Sequence, residues 1–246
     1  MTKNITVHVT PDYQSMSQMA AKLFAQTVSQ NPKAVYGFAT GGTPEGMYQD
    51  LVKMSQAGTV NISEITAFNL DEYTPLSPSN PQSYAHYRAT KLFDHVGIPQ
   101  SRRNIPKGDA PCPTAEAAAY ETKIISAGGI HLQILGIGTN GHIGFNEPAD
   151  TFPGPTAHVA LTQSTIDANA RYFNNITDVP KHAISMGMQS IMMAKSILLL
   201  ASGSTKAKIL SQALTGPITP QVPASVLQLH QNVTVIVDKP AAAFLS

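Results

Sequence analysis

The densest chemistry in the sequence lies in the run Gly138-Thr139-Asn140-Gly141-His142-Ile143-Gly144-Phe145-Asn146-Glu147-Pro148. Its glycines let the chain fold tightly and bring an amide, an imidazole and a carboxylate close together. An imidazole exchanges protons near neutral pH, and a carboxylate beside it can orient the ring or share its proton. General acid–base work suits this set better than metal binding, because only one good imidazole ligand is offered. A second candidate is Phe68-Asn69-Leu70-Asp71-Glu72-Tyr73, where two adjacent acids close a hydrophobic run. Neighbouring side chains in extended structure point to opposite faces, so at most one acid need face a pocket and serve as a base. The competing reading is a solvated strand end.

Anion binding has its own candidates. Phe38-Ala39-Thr40-Gly41-Gly42-Thr43-Pro44 reads as a strand entering a glycine turn and then a helix. Glycines allow close backbone approach, a helix start offers free N–H groups, and Thr43 adds a hydroxyl. An ordinary tight turn would look the same. The turn lacks the Gly-x-Gly-x-x-Gly fingerprint and the Gly-Lys-Ser/Thr ending of nucleotide loops, which disfavours dinucleotides and nucleoside triphosphates. Arg171 and Lys206 are the cations to weigh with it. Lys206 falls in the first turn of an expected helix, where a phosphate is welcome. Each reads equally as a surface charge.

These segments need elements to hold them. Short apolar runs alternate with helical patterns, the mark of a parallel sheet covered on both faces. The expected strands are 5–9, 35–39, 65–70, 131–137, 157–161, 196–201 and 233–237. Met16, Met19, Ala20, Leu23, Phe24 and Thr27 recur at helical spacing behind Asp12, a natural N-cap. Further helices are expected over 44–55, 83–95, 114–127, 164–173, 188–194 and 205–214, with loops at 73–82 and 148–155. Open α/β sheets bind ligands beyond the carboxyl ends of their strands, and the unusual residues fall there.

Composition narrows the partners. A chain of 246 residues fits one domain, spanning 1–246, and 42% hydrophobic content supplies a core. A net charge of +1 argues against nucleic acid and favours a small metabolite. Cys112 stands alone, so an internal disulfide or a cysteine-based zinc site is not expected. Neither a leader at Met1–Asn4 nor a membrane-spanning run is expected, which makes the cytoplasm the default compartment.

Together the segments resemble the glucosamine-6-phosphate deaminases of the glucosamine/galactosamine-6-phosphate isomerase family. The motifs carrying the resemblance are Gly-Gly-Thr-Pro, Phe-Asn-Leu-Asp-Glu-Tyr, the His142 loop, Ala183-Ile184-Ser185-Met186-Gly187, the Lys206 segment and 223–230. The resemblance implies a Rossmann-like α/β fold with a mostly parallel open sheet, and turnover without a cofactor or metal. It implies conversion of glucosamine 6-phosphate to fructose 6-phosphate and ammonia in amino sugar catabolism. Asp71 is then the enolisation base, and His142 opens the sugar ring with Asn140 and Glu147 assisting. Gly41, Gly42, Thr43, Arg171 and Lys206 hold the phosphate. Some members have aspartate at the Asn140 position; an amide can only position or polarise His142. A segment over 156–180 carrying Arg171 is a candidate lid. The stop at Ser246 matches the short members, in which allosteric activation is not expected, and monomer and homo-oligomer both stay open. The rival enzyme is 6-phosphogluconolactonase, which has no use for a base at Asp71. A sugar-phosphate sensor of a transcription regulator would need a DNA-binding module ahead of the first strand.

Overall fold

The computed structural model describes residues 4–245, so the start at Met1–Lys3 and the stop at Ser246 lie outside the described residues. The strands are β1 (Ile5–Thr10), β2 (Val35–Phe38), β3 (Thr66–Asn69), β4 (Asp71–Thr74), β5 (Arg103–Asn104), β6 (Leu132–Gly136), β7 (Ala157–Ala160), β8 (His182–Ser185), β9 (Ser196–Ala201) and β10 (Val233–Asp238). The helices are α1 (Tyr13–Gln30), α2 (Glu45–Gln56), α3 (Tyr84–Lys91), α4 (Pro113–Ser126), α5 (Gln163–Asn169), α6 (Met188–Met192) and α7 (Ala207–Thr215).

Seven strands form one sheet in the order β1-β10-β9-β6-β2-β3-β5. Every pairing in it is parallel. Parallel strands must be buried on both faces, and the aliphatic runs Ile134–Leu135 and Ile197–Leu200 meet that demand. α1 forms as its spacing predicts. Asp12 accepts from the Ser15 amide at 2.7 Å, while Met16, Ala20 and Phe24 turn into the core. Capping of this kind contributes about 1 kcal/mol. Chain direction across the sheet reverses between β2 and β6: β3 and β5 extend one way, β9 and β10 the other. The carboxyl ends of β2 and β6 flank that switch point, where a crevice opens.

The expectation of a single sheet is corrected in one respect. β4, β8 and β7 make a separate antiparallel sheet, with Asp71 opposite Ser185 and Ser185 opposite Ala157. The segment 157–161, expected beside the parallel strands, belongs here, and 73–82 begins as strand rather than loop. Leu70 is the pivot: its amide bonds the Phe38 carbonyl at 2.8 Å, and its carbonyl accepts the Met186 amide at 2.9 Å. Chain leaving β3 thus changes sheets within one residue, and Asp71 sits on that corner. The segment 83–95 is helical only to Lys91 and ends in a 3-10 turn, Phe93–His95. The 148–155 stretch is a loop as expected. Among the described residues no helix is long and apolar enough to cross a membrane.

Candidate active site

A cavity of about 650 Å³ opens at the switch point, lined by Gly41, Gly42, Thr43, Asp71, Asn140, His142, Arg171 and Lys206 among others. Every residue to which the resemblance gives a role meets in one place, except Glu147, which stands behind His142 outside the lining.

The glycine turn is braced from below. Tyr13 donates its hydroxyl to the Gly42 carbonyl at 3.0 Å, and Tyr87 donates to the Gly41 carbonyl at 2.8 Å. Gly41 has φ +96°, a conformation few residues other than glycine adopt. With its carbonyls held, the turn can present its amides to an anion at the start of α2. Lys206 closes a short turn, Ser204–Lys206, and Arg171 lies in another, Ala170–Tyr172. Burial, with the Arg171 charge adding to it, pushes the Lys206 amine below its ordinary range. Two cations brought together without a carboxylate repel unless an anion joins them. Arg171 also bonds the Tyr172 hydroxyl at 2.9 Å, and that hydroxyl lies 3.8 Å from where a Cβ on Gly42 would stand. Both cations line the cavity with the glycine turn.

The competing reading of a solvated strand end is overturned: Asp71 is 5% and Glu72 1% exposed. They do point opposite ways. Glu72 turns to the start of α3 and accepts from the amides of Tyr73, Tyr84 and Ala85 at 2.8, 2.9 and 2.8 Å. Burial raises it to about 7 even against those three donors. Asp71 faces the cavity, where burial and then the Glu72 charge raise it to about 8, against the pull of Arg88 and the Thr40 hydroxyl. Its Oδ1 is buried without a partner. A buried acceptor left free is costly and marks a position where function takes precedence.

The His142 loop is folded around its glycines. A Cβ on Gly138 would lie 2.3 Å from the imidazole, so the ring packs flat on the backbone only because residue 138 is glycine. His142 Nδ1 lies 3.3 Å from Glu147 Oε2, an ion-pair contact in a geometry too poor for a hydrogen bond. Asn140 donates to the same oxygen at 2.8 Å and accepts the His142 amide at 3.2 Å, and Thr165 donates to the other oxygen. An aspartate at 140 could not donate to Glu147, so the amide has a bridging role that an acid would lack. Burial alone would raise Glu147; His142, Thr165 and Asn140 outweigh it and hold the carboxyl at about 2. Gly138→Ala should expel the ring and cost about 1–3 kcal/mol of stability by overpacking. Urea unfolding read beside turnover checks this; unchanged values in both would contradict the packing.

Thr40, Thr165 and the bracing tyrosines went unnoticed in the sequence. Thr40 had a usable signal, since it directly follows a strand beside the glycine turn. The segment 156–180, a candidate lid, begins as β7, which pairs with β8. Among the described residues no group of three His, Cys, Asp or Glu could hold a metal.

Comparison with known proteins places these features in context. The family model for glucosamine-6-phosphate isomerases/6-phosphogluconolactonase matches residues 12–236. A glucosamine-6-phosphate deaminase of Halothermothrix orenii is 49% identical over 239 residues, covering 97% of this chain and 99% of the relative. The structure of a monomeric glucosamine-6-phosphate deaminase superposes with a TM-score of 0.95 at 45% identity, over 97% of this chain and 99% of that one. A 6-phosphogluconolactonase from Trypanosoma brucei shares the fold, with a TM-score of 0.76 at 19% identity over the full length of both chains.

Proposed function

This chain belongs to the glucosamine-6-phosphate isomerase/6-phosphogluconolactonase family, and on that premise we propose that it deaminates glucosamine 6-phosphate to fructose 6-phosphate and ammonia. The observation that carries this choice within the family is Asp71: a buried carboxylate with a free oxygen, facing a cavity that also holds an imidazole–carboxylate pair and a cationic anion site. Lactone hydrolysis needs no carbon base. Isomerisation of an amino sugar does.

In this scheme the substrate phosphate sits on the Gly41–Thr43 turn between Arg171 and Lys206, which anchors the sugar along the cavity. His142, held by Glu147 and Asn140, moves a proton from the C1 hydroxyl to the ring oxygen, and the aldehyde is released. Asp71 then takes the proton from C2 and returns it to C1, while the C1 oxygen gains a proton and the nitrogen loses one, leaving an imine at C2. Water adds to that carbon, ammonia departs, and the ketose remains. A base whose pKa lies near working pH is the efficient choice for such a step. The anchored phosphate keeps the flexible open chain beside the base, converting an encounter into a held geometry.

The whole of 1–246 serves as one domain in this scheme, and one chain furnishes all the groups named. Sugar phosphates are charged and stay where they are made, so the cytoplasm is the natural compartment.

Ammonia release from glucosamine 6-phosphate, run beside hydrolysis of 6-phosphogluconolactone, tests the choice. Ammonia without lactonase activity is expected, and the reverse would sink the assignment. Lys206→Ala should raise KM by about 10- to 100-fold, the loss of one charge-assisted hydrogen bond, with a smaller effect on kcat. An unchanged KM would remove Lys206 from the phosphate site.

A further inference from the structure

Arg88 has none of its surface exposed and takes part in none of the ion pairs among the described residues. A lone guanidinium in a protein interior is costly, and an uncharged side chain of similar volume usually serves packing as well. Its surroundings show what it does. Nε donates to Asn69 Oδ1 at 2.8 Å, while Nη2 donates to the Tyr48 hydroxyl at 3.0 Å and to the Ala39 carbonyl. Nη1 has no partner. The guanidinium lies 4.4 Å from the Tyr48 ring centre and 4.9 Å from that of Phe38, so π faces replace part of its lost hydration.

The residues it grips lead to Asp71 from two sides. Asn69 passes the bond on, its Nδ2 donating to the Asp71 carbonyl at 2.8 Å. Ala39 immediately precedes Thr40, which lines the cavity together with Asp71. Arg88 itself does not line the cavity. The titratable groups acting on Asp71 or acted on by it are Glu72 and Tyr73 from β4, Tyr84 and Arg88 from α3, and Tyr120 from α4.

We propose that Arg88 is a positioning residue for the base: one guanidinium ties the ends of β2 and β3 next to Asp71 and supplies a positive charge near its carboxylate. The favourable charge of Arg88 on Asp71 agrees with this geometry. The proposal rests on the deaminase reading, because it presumes that Asp71 works as a carboxylate.

The test is the pH profile of kcat/KM, which reports ionisations of the free enzyme. In Arg88→Met the acidic limb should move upward by about one pH unit or more, as loss of a nearby opposite charge requires, while KM stays within a few-fold. Arg88→Lys keeps the charge but loses the fork, so it should leave the limb near the parent's while lowering kcat. A folded Arg88→Met protein, checked by circular dichroism, whose limb has not moved would overturn the proposal and leave the deaminase reading intact. If Arg88→Met does not fold, Arg88→Lys decides alone: a displaced limb or an unchanged kcat counts against the role. A parent protein that releases no ammonia overturns both.

Discussion

Asp71→Asn lowers kcat with glucosamine 6-phosphate by about 100- to 10,000-fold, the usual worth of a positioned general base, and leaves sugar-phosphate affinity within a few-fold. The phosphate contacts lie elsewhere in the cavity, so binding should survive. The same change should stabilise the fold. Asp71 is held at about 8 in the folded protein against an ordinary 3.8, so the folded state binds this proton more tightly than the unfolded chain does. A raised acid adds stability that is fully present below the unfolded value and is lost as pH climbs through the folded one. At neutral pH the folded state must hold a proton that the unfolded chain has already released, a burden that asparagine removes, with a gain on the order of a few kcal/mol. Thermal melts at pH 5 and pH 8 check the sign: the gain should be larger at pH 8. Activity of the parent should also rise with pH toward about 8, as Asp71 ionises. A variant that is inactive because it no longer binds, or that melts lower at pH 8, would contradict the role given to Asp71.

His142→Gln separates ring opening from the chemistry that follows. Turnover of the natural, mostly cyclic substrate should fall by about 100-fold or more. An amino sugar phosphate that cannot close its ring should lose only a few-fold, because Asp71 is untouched. Equal damage to both substrates would place His142 in the proton transfer at carbon instead. There is a stability signature too. Glu147 is held at about 2 against an ordinary 4.5, with His142 the leading favourable cause. Stability of that kind is present above about 4.5 and lost as pH falls toward about 2, so the variant should be less stable than the parent near neutral pH, and that loss should vanish in acid. Acid titration followed by circular dichroism reads that trend.

Much of this site was legible because glycine and proline punctuate the chain where strands end. The Gly138–Glu147 loop and the Gly41–Pro44 turn each follow an apolar strand, and the open α/β fold brings both to one crevice. The small antiparallel sheet was not legible. His182–Ser185 is too short to carry a period of its own, and Pro75 made the end of β4 look like loop. Burial of Glu72 depends on the start of α3, a contact across 12 residues that no local pattern announces. Arg88 was hidden for a related reason. An arginine on a helix reads as surface, and only the packed rings of Phe38 and Tyr48 reveal an interior cation. Glu147, expected to assist His142, stands beside its ring and outside the cavity lining.

Proton NMR of glucosamine 6-phosphate in deuterium oxide bears most directly on the role given to Asp71. With the parent protein, the C2 proton should disappear as fructose 6-phosphate and ammonium form, and Asp71→Asn should still bind the sugar phosphate while leaving that proton in place. A C2 proton untouched by the parent, or lost at an undiminished rate in Asp71→Asn, would show that this carboxylate is not the base.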